Sequence, residues 1–183
     1  MLAEAGSSFA SLDALAFGMG PGAFTGLRVA CGIAQGMAVA LDRPVLPVGS
    51  LEAMAWETGA AKVLTLLDAR MGEVYGGAFQ RQEQGLVPLL DLVVQAPDQL
   101  SLPAGPDWVV AGNALKAYPL LLERFSAWNC QPDILPHARS VASLGAQAFA
   151  RGEALDPALA APRYVRDKVA RTTAERLADG GKP

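Results

Sequence analysis

The sequence predicts a layered α/β fold built around a mixed sheet, and three observations carry this prediction. Short apolar strands alternate with helical segments along the first part of the chain, which is typical of βαβ units with parallel strands. A glycine-rich turn joins the first strand to the first helix. Two β-rich runs, 62–67 and 73–79, follow each other closely, which predicts an antiparallel hairpin. A domain that combines both arrangements contains a mixed sheet.

The composition is that of a folded protein with little attraction for nucleic acid. The chain has 183 residues and is 51% hydrophobic, enough for one domain or two small lobes. Its formal net charge is -3, whereas strong nucleic-acid binders carry a basic excess, so any RNA contact should depend on a partner. Cys31 and Cys130 lie far apart, and a buried free thiol is expected at Cys31 rather than a disulfide.

No segment has the pattern of a membrane span or a signal peptide. No apolar run approaches the roughly twenty residues that cross a bilayer, and a transmembrane interpretation of the helix at 24–41 fails on length. The first residues lack the basic and then apolar pattern of a signal peptide. We therefore expect a cytoplasmic protein that makes no membrane contact.

The first helix is predicted to follow a strand at 12–17 and the glycine-rich run at 18–22. It spans Phe24–Leu41 without proline and almost without charge, so we expect it to be buried nearly all round. A stripe of small residues, Gly32, Gly36 and Ala40, permits close approach of another backbone. Whether this stripe packs against a partner or inside its own lobe is left open by the sequence.

The later elements are predicted from apolar periodicity and from the Ser, Pro and Gly residues at which helices begin, break or end. A second strand at 44–48 precedes a helix for which Ser50 is the expected N-cap. The stretch 80–107 predicts a peripheral strand with loops, and 108–111 a final buried strand. A helix at 114–128 should be interrupted near Pro119. The last helix, 140–151, is expected to be capped by Ser140 and ended by Gly152, before an extended tail at 157–168.

The glycine-rich turn is the most informative candidate site. A strand, a glycine-rich turn and a helix N-terminus together present backbone N–H groups to an anion such as phosphate. The segment is neither a Walker A loop nor a dinucleotide fingerprint, because the required lysine and the spacing are absent. A close-packed turn that uses glycine for backbone approach is the favoured alternative to phosphate binding.

The remaining polar candidates favour structural roles. Asp68, Arg70 and Glu73 cluster in the hairpin, where a turn aspartate and an internal ion pair are favoured over acid–base or metal chemistry. His137 has no metal-ligand spacing around it and is interpreted as a loop residue. The C-terminal cluster of basic residues is expected to form a solvated face. It comprises Arg163, Arg166, Lys168 and Arg171.

Several segments, in order along the chain, resemble the TsaB (YeaZ) family of tRNA threonylcarbamoyladenosine biosynthesis proteins. They are Gly20-Pro-Gly-Ala-Phe-Thr-Gly26, Val48-Gly-Ser-Leu51, Leu67-Asp-Ala-Arg-Met-Gly-Glu-Val-Tyr75, Gly112-Asn113 and Pro162-Arg-Tyr-Val-Arg-Asp-Lys-Val169. The resemblance implies an actin/Hsp70-like (ASKHA) fold of two lobes with mixed sheets, in which the N-terminal lobe is incomplete. It also implies a non-catalytic scaffold and activating subunit that works with TsaD and TsaE to form N6-threonylcarbamoyladenosine in tRNA.

Together with the residue analysis, the resemblance assigns three groups of candidate site residues. The glycine-rich turn, as a candidate nucleotide contact, comprises Gly18, Gly20, Pro21, Gly22, Thr25 and Gly26. The partner or homodimer helix comprises Arg28, Val29, Gly32, Ile33, Gly36, Met37 and Ala40. The family-motif hairpin comprises Asp68, Arg70, Met71, Gly72, Glu73 and Tyr75. The resemblance implies no catalytic residue, metal or cofactor, and tRNA contact only through the complex.

The implied organisation is a remainder of the N-terminal lobe at 1–50, a C-terminal lobe at 51–168 and a tail at 169–183. Family members open with strands bearing an Asp-Thr-Ser/Thr turn, whereas this sequence starts at Met1-Leu-Ala-Glu-Ala-Gly, within the helix that follows those strands. We therefore expect an unpaired strand edge and exposed apolar surface unless another chain covers them. The alternative function is a fragment of an actin-like sugar or acetate kinase that binds ATP at residues 18–26.

Overall fold

The computed structural model describes residues 4, 6–83, 85–101 and 103–166. The strands of this part of the chain are β1 (Leu15–Gly20), β2 (Val45–Gly49), β3 (Lys62–Arg70), β4 (Glu73–Gln82), β5 (Gly85–Gln95), β6 (Val109–Ala111) and β7 (Asn129–Gln131). Its α-helices are α1 (Phe24–Leu41), α2 (Ser50–Thr58), α3 (Ala114–Ala117), α4 (Pro119–Arg124) and α5 (Ala138–Ala150). The predicted tail at 169–183 lies outside the described residues.

The strands form two sheets. Strands β1 and β2 pair in parallel, with α1 as the helix of the crossover between them. The larger sheet has the order β5-β4-β3-β6-β7, in which β3, β4 and β5 are antiparallel while β6 and β7 run parallel to β3. The predicted hairpin and the mixed sheet are both confirmed.

The small sheet lies between two helices. Leu15 and Phe17 of β1 face α1 and pack with Cys31 in one apolar cluster. On the opposite face, a Cβ placed on Gly145 of α5 would lie only 2.5 Å from the Cβ of Ala16. Because side chains alternate across a strand, each face of β1 has its own helix, and glycine at 145 permits the closest approach.

The large sheet is also covered on both faces. One face packs against α3 and α4, with Leu66 of β3, Leu115 and Phe125 in a common cluster. The other packs against α2, where Leu51 contacts a cluster that includes Val63 of β3. Strand β3 is therefore buried on both sides, which explains why its sequence is a continuous apolar run rather than an alternating one.

Helix α1 is not buried nearly all round, so that prediction was wrong. Only Cys31, Ala34 and Ala38 are buried, whereas Val29 and Ile33 are 53% and 58% exposed. The small sheet contacts only one face of α1. Because α1 is largely apolar on all sides, its sequence does not show that the other face lacks a neighbour in the described structure. At 18 residues the helix is also long and apolar enough to cross a bilayer, so its length alone does not exclude a transmembrane segment.

Two predicted helix caps are displaced by one or more residues. Gly49 is the N-cap of α2, and its N–H donates to the carboxylate of Glu52 at 3.2 Å, while Ser50 is already helical and buried. Helix α5 begins before Ser140, with His137 as N-cap, whose Nδ1 accepts from the N–H of Arg139 at 3.3 Å. His137 is therefore a cap and not merely a loop residue.

The buried Ser140 side chain does not cap α5 and instead binds another helix. Its hydroxyl donates a hydrogen bond to the carboxylate of Glu57 at the end of α2, and Arg139 forms an ion pair with the same carboxylate. These hydrogen bonds, with Arg139 first and Ser140 second, lower the pKa of Glu57. They tie α5, which covers the small sheet, to α2, which covers the large one.

Other boundaries also differ from the predictions. Strand β1 starts at Leu15 and runs to Gly20, later than the expected 12–17, and β6 is not the last strand because β7 follows it. The stretch 80–107 contains the full-length edge strand β5, in which Leu89 is 43% exposed. Tertiary pairing extends these strands beyond what apolar runs indicate. The interruption of the helix at Pro119 and the buried free thiol of Cys31 are confirmed.

Strand β1 has an open edge in the described part of the chain, since β2 is its one strand partner there. A groove of about 430 Å³ runs along this edge between α1 and α5. Its lining is almost wholly apolar and includes Leu15, Phe17, Ile33, Met37 and Val141. The unpaired edge and the accessible apolar surface expected from the sequence are both present.

Candidate functional site

The glycine-rich turn and the hairpin lie on opposite walls of one cleft of about 340 Å³. The first wall comes from the β1–α1 turn, with Pro21 and Phe24, and the second from the β3–β4 turn, with Asp68 and Arg70. The chain segment 163–166 also lines the cleft. Two of the three predicted groups of residues therefore meet, although more than forty residues separate them along the chain.

Within the glycine-rich turn, Gly20 is the position that requires glycine. Its φ is +115°, and an added Cβ would lie 2.9 Å from both the carbonyl oxygen of Arg163 and Cδ1 of Leu27. By contrast, Gly18 has no heavy atom within 4 Å of such a Cβ. The group that approaches Gly20 closely is thus the backbone of Arg163 in the same chain. This agrees with the interpretation of the glycine-rich segment as a close-packed turn.

The rest of the turn has few specific contacts. Helix α1 begins at Phe24 behind Ala23, and no side chain caps it. Thr25 and Gly26 are exposed, Gly22 is half-buried, and Pro21 is buried. The hydroxyl of Thr25 is therefore not a cap, and the first turn of α1 faces the cleft with uncapped backbone.

Asp68 is a turn aspartate that organises the hairpin. Its Oδ1 accepts from the N–H of Arg70 at 2.9 Å and from the hydroxyl of Tyr118 at 3.1 Å, while Oδ2 pairs with the Arg70 guanidinium at 3.2 Å. Its own N–H donates to Oδ1 of Asn113 at 2.9 Å. The predicted structural role of this aspartate and its internal ion pair are confirmed.

The tip of the hairpin has a strained backbone. Arg70, Met71 and Gly72 have φ values of 62°, 57° and 77°. Two consecutive residues other than glycine in the left-handed region cost free energy that neighbouring contacts must offset. The hydrogen bonds of Asp68 and Tyr118 supply such contacts. Tyr75, which lines the cleft, is half-buried.

Tyr118 is a site residue that the sequence interpretation missed. Its hydroxyl donates to Asp68 and also lies 3.2 Å from the carbonyl oxygen of Glu73. Burial, together with the hydrogen bond to the Asp68 carboxylate, raises its pKa. The residue precedes Pro119, so the break between α3 and α4 sets its backbone, but periodicity carries no signal for this long-range contact.

Glu73, in the same hairpin, forms an ion pair with Arg166, which lines the cleft. Arg166 lies mostly buried, with 15% of its side chain exposed, and it also contacts Sδ of Met71 at 3.3 Å. The prediction that the C-terminal basic residues form a solvated face is therefore wrong for Arg166. The other two cluster members beyond it, Lys168 and Arg171, lie outside the described residues.

The carboxylates of the hairpin are engaged by other side chains of the chain. Both carboxylates, those of Asp68 and Glu73, are paired with arginine. Among the residues that the structure describes, no three His, Cys, Asp or Glu side chains group as metal ligands do. Cys130 is half-buried, and burial raises the pKa of its thiol, which disfavours the reactive thiolate.

The third predicted group, on α1, forms one exposed stripe. Arg28, Gly32, Gly36 and Ala40 are exposed, as are Val29 and Ile33, while Met37 is half-buried. A Cβ added to Gly32 or Gly36 would have no heavy atom within 4 Å. The small-residue stripe therefore does not pack inside its own lobe, and open space faces it in the described structure.

Comparison with known proteins agrees with this arrangement. The model of the family TsaD, tRNA N6-adenosine threonylcarbamoyltransferase, matches residues 1–174. The tRNA threonylcarbamoyladenosine biosynthesis protein TsaB of Escherichia coli (strain K12) is 36% identical, over 93% of this chain and 78% of that protein. The TsaB of Haemophilus influenzae is 47% identical over 45% of this chain and 37% of its own length.

Two solved structures from Pseudomonas aeruginosa are similar over most of the chain. The structure of YeaZ superimposes with a TM-score of 0.83 at 39% identity and covers 90% of this chain. A protein described as similar to peptidase YeaZ gives a TM-score of 0.84 at 40% identity, and the match spans 79% of its length. The predicted actin-like α/β fold class is confirmed, and the chain belongs to the TsaB (YeaZ) family.

Proposed function

We propose that this chain acts in the biosynthesis of tRNA threonylcarbamoyladenosine as a non-catalytic scaffold and activating subunit. In this role it binds the transferase subunit TsaD and the ATPase subunit TsaE, acts in the cytoplasm and contacts tRNA only through the complex. It needs no cofactor of its own. The similarity to TsaB proteins supports the pathway, and the cleft geometry supports the scaffold role.

The observation that carries the non-catalytic assignment is that the carboxylates of the hairpin beside the cleft are engaged by other side chains of the chain. Asp68 binds Arg70 and Tyr118, and Glu73 binds Arg166. The backbone of Arg163 lies against Gly20, where a phosphate would approach a phosphate-binding loop. Groups already satisfied within the chain are poor candidates for acid–base work on a substrate.

The exposed stripe on α1 supports a partner surface. Large apolar side chains, Val29 and Ile33, lie beside glycines that have open space in front of them. Exposed apolar side chains of this size on a helix favour contact with another helix, and small residues let the two backbones approach closely. The partner on this stripe is TsaD, or a second copy of the chain when TsaD is absent.

We also propose the division of the chain near residue 50. Strands β1 and β2 with α1 precede this point, and β3 to β7 follow it. Helix α5 comes from the later part but packs on the small sheet, so the first unit is complete only together with residues 138–150.

Reconstitution tests the proposed function directly. Modification of tRNA is measured with TsaD, TsaE and a supply of the threonylcarbamoyl-adenylate donor, with and without this chain. We expect activity to require the chain, and the Asp68→Asn and Glu73→Gln variants to retain it within about threefold if they fold, because no bond-making step uses these carboxylates. Full modification without the chain, or a loss of about a thousandfold in either variant, would contradict the proposal.

The alternative, an actin-like kinase fragment, is not favoured by the comparisons or by the geometry of the turn. A kinase of this type would need an open phosphate site at residues 18–26, whereas Arg163 approaches Gly20 closely. Calorimetry with ATP and the isolated chain distinguishes the two. Binding at micromolar concentration would support the kinase, and the scaffold assignment expects none.

A further inference from the structure

The segment before residue 166 runs back along α1 towards the cleft. Nε2 of Gln35 donates to the carbonyl oxygens of Pro157 at 3.0 Å and Ala160 at 3.2 Å. Ala160 is buried in the apolar cluster of the small sheet. These contacts place the segment firmly on the first wall of the cleft before it reaches Arg163.

At Arg163 the segment makes its closest contact with the first wall. The N–H of Arg163 donates to the carbonyl oxygen of Met19 at 2.7 Å. Its own carbonyl oxygen lies where the Cβ of any other residue at position 20 would clash. The chain thus requires glycine at position 20 in order to seat residue 163.

Tyr164 adds a side-chain contact on the same wall. Nε of Arg28 donates to its hydroxyl at 2.9 Å, and the ring centroids of Tyr164 and Phe24 are 5.7 Å apart. The guanidinium of Arg28 also lies 3.7 Å from the centroid of the Phe24 ring. Cation–π and aromatic contacts of this kind hold the segment against the first turns of α1.

Arg166 reaches the opposite wall. Its guanidinium forms the ion pair with Glu73, contacts Sδ of Met71 at 3.3 Å and lies 3.4 Å from the carbonyl oxygen of Arg70. Three residues of the hairpin, Arg70, Met71 and Glu73, are therefore contacted by one side chain that is mostly buried. The Glu73 side chain is 38% exposed, so the pair is only partly desolvated, and the Arg166 contacts to Met71 and Arg70 add to its hold on the hairpin.

We propose that residues 163–166 form a latch that holds the glycine-rich turn and the hairpin together, and that release of Arg166 opens the cleft. The latch concerns the conformation of the cleft, and it does not depend on whether the chain is a catalyst or a scaffold. It links the two sheets through one short segment anchored on α1 at Arg163 and Tyr164 and on the hairpin at Arg166. The Arg28 side chain belongs both to the latch and to the exposed stripe of α1, so the two lie side by side.

Hydrogen exchange of the full chain, measured by mass spectrometry, tests the latch. In Arg166→Ala we expect exchange to become about tenfold faster in peptides that cover 20–28 and 68–75, because both walls lose their common contact. Glu73→Gln removes the ion pair from the other side and should produce the same pattern while leaving residue 166 unchanged. This second variant keeps the test valid if the first folds poorly.

Lys116→Ala is the matched control. Lys116 forms an ion pair with Asp133 that is largely exposed and does not touch the cleft. Exchange in 20–28 and 68–75 should therefore equal that of the unmodified chain. Faster exchange confined to peptides that contain residues 163–166, or a uniform increase along the whole chain in both cleft variants, would overturn the proposal.

Discussion

Replacing Gly36 with leucine separates the two roles that a small-residue stripe on α1 can have. Leucine is a better helix former than glycine by about 0.8 kcal/mol at an interior helix position. No heavy atom of the described chain lies within 4 Å of a Cβ at this position, so the larger side chain causes no internal clash. For a chain of this size, 0.8 kcal/mol corresponds to a rise of roughly 2–3 °C in the melting temperature.

The same change should weaken partner binding. A leucine side chain on the stripe prevents the close approach of a facing helix, and overpacking of this kind costs about 1–3 kcal/mol. At 1.4 kcal/mol per tenfold, the affinity for TsaD should fall by roughly 5- to 150-fold. Melting is followed by circular dichroism and affinity by calorimetry, with the same protein preparation in both measurements.

Ala146→Leu serves as the control, since this exposed alanine lies on α5 and receives similar bulk away from the stripe. It should leave affinity unchanged. A fall of more than about 5 °C in Gly36→Leu would show that the stripe packs inside the chain after all. Unchanged affinity together with a raised melting temperature would remove the stripe from the interface.

Three further predictions concern stability. Gly112→Ala should cost about 2–4 kcal/mol in urea unfolding, because φ is +127° and the new Cβ would lie 2.1 Å from the carbonyl oxygen of Leu66; an unchanged midpoint would refute this. The pKa of Glu57 is lower in the folded chain than in the unfolded chain, where it is about 4.3. The ionised carboxylate therefore contributes its full stabilisation at pH values above about 4.3, and this contribution is lost as the pH falls through the folded pKa. Glu57→Gln should therefore lose less stability than the unmodified chain between pH 7 and pH 3, measured by thermal melts across that range, and equal losses would contradict the assignment. Gly145→Val should speed hydrogen exchange in α5, because its Cβ would meet Ala16 at 2.5 Å; unchanged protection would show that the helix shifts without cost.

Elements with a strong local pattern were predicted well. The span of α1 was predicted without error, and the β3–β4 hairpin follows from two apolar runs around a turn that contains Asp68 and Gly72. The break at Pro119 follows from the missing N–H and fixed φ of proline. These features depend on residues that are neighbours along the chain, so a single sequence contains the information.

Features that depend on what lies opposite an element were not predicted. An all-apolar helix was expected to be buried, but the sheet covers only one side of α1 and leaves Val29 and Ile33 exposed. Ser140 has the composition of an N-cap, yet it donates to Glu57 on another helix. Arg166 looked like a surface charge because its partner, Glu73, is 93 residues away in the sequence.

The sequence by itself determined the α/β class, the glycine-rich turn and the family motifs, because each depends on residue type and short-range order. Only the tertiary structure decided which of these segments meet. The closing of the turn by Arg163, the pairing of Glu73 with Arg166 and the open stripe on α1 result from long-range packing. Hydrophobic burial is non-directional, so composition reveals how much surface a chain will bury but not which distant residues face each other.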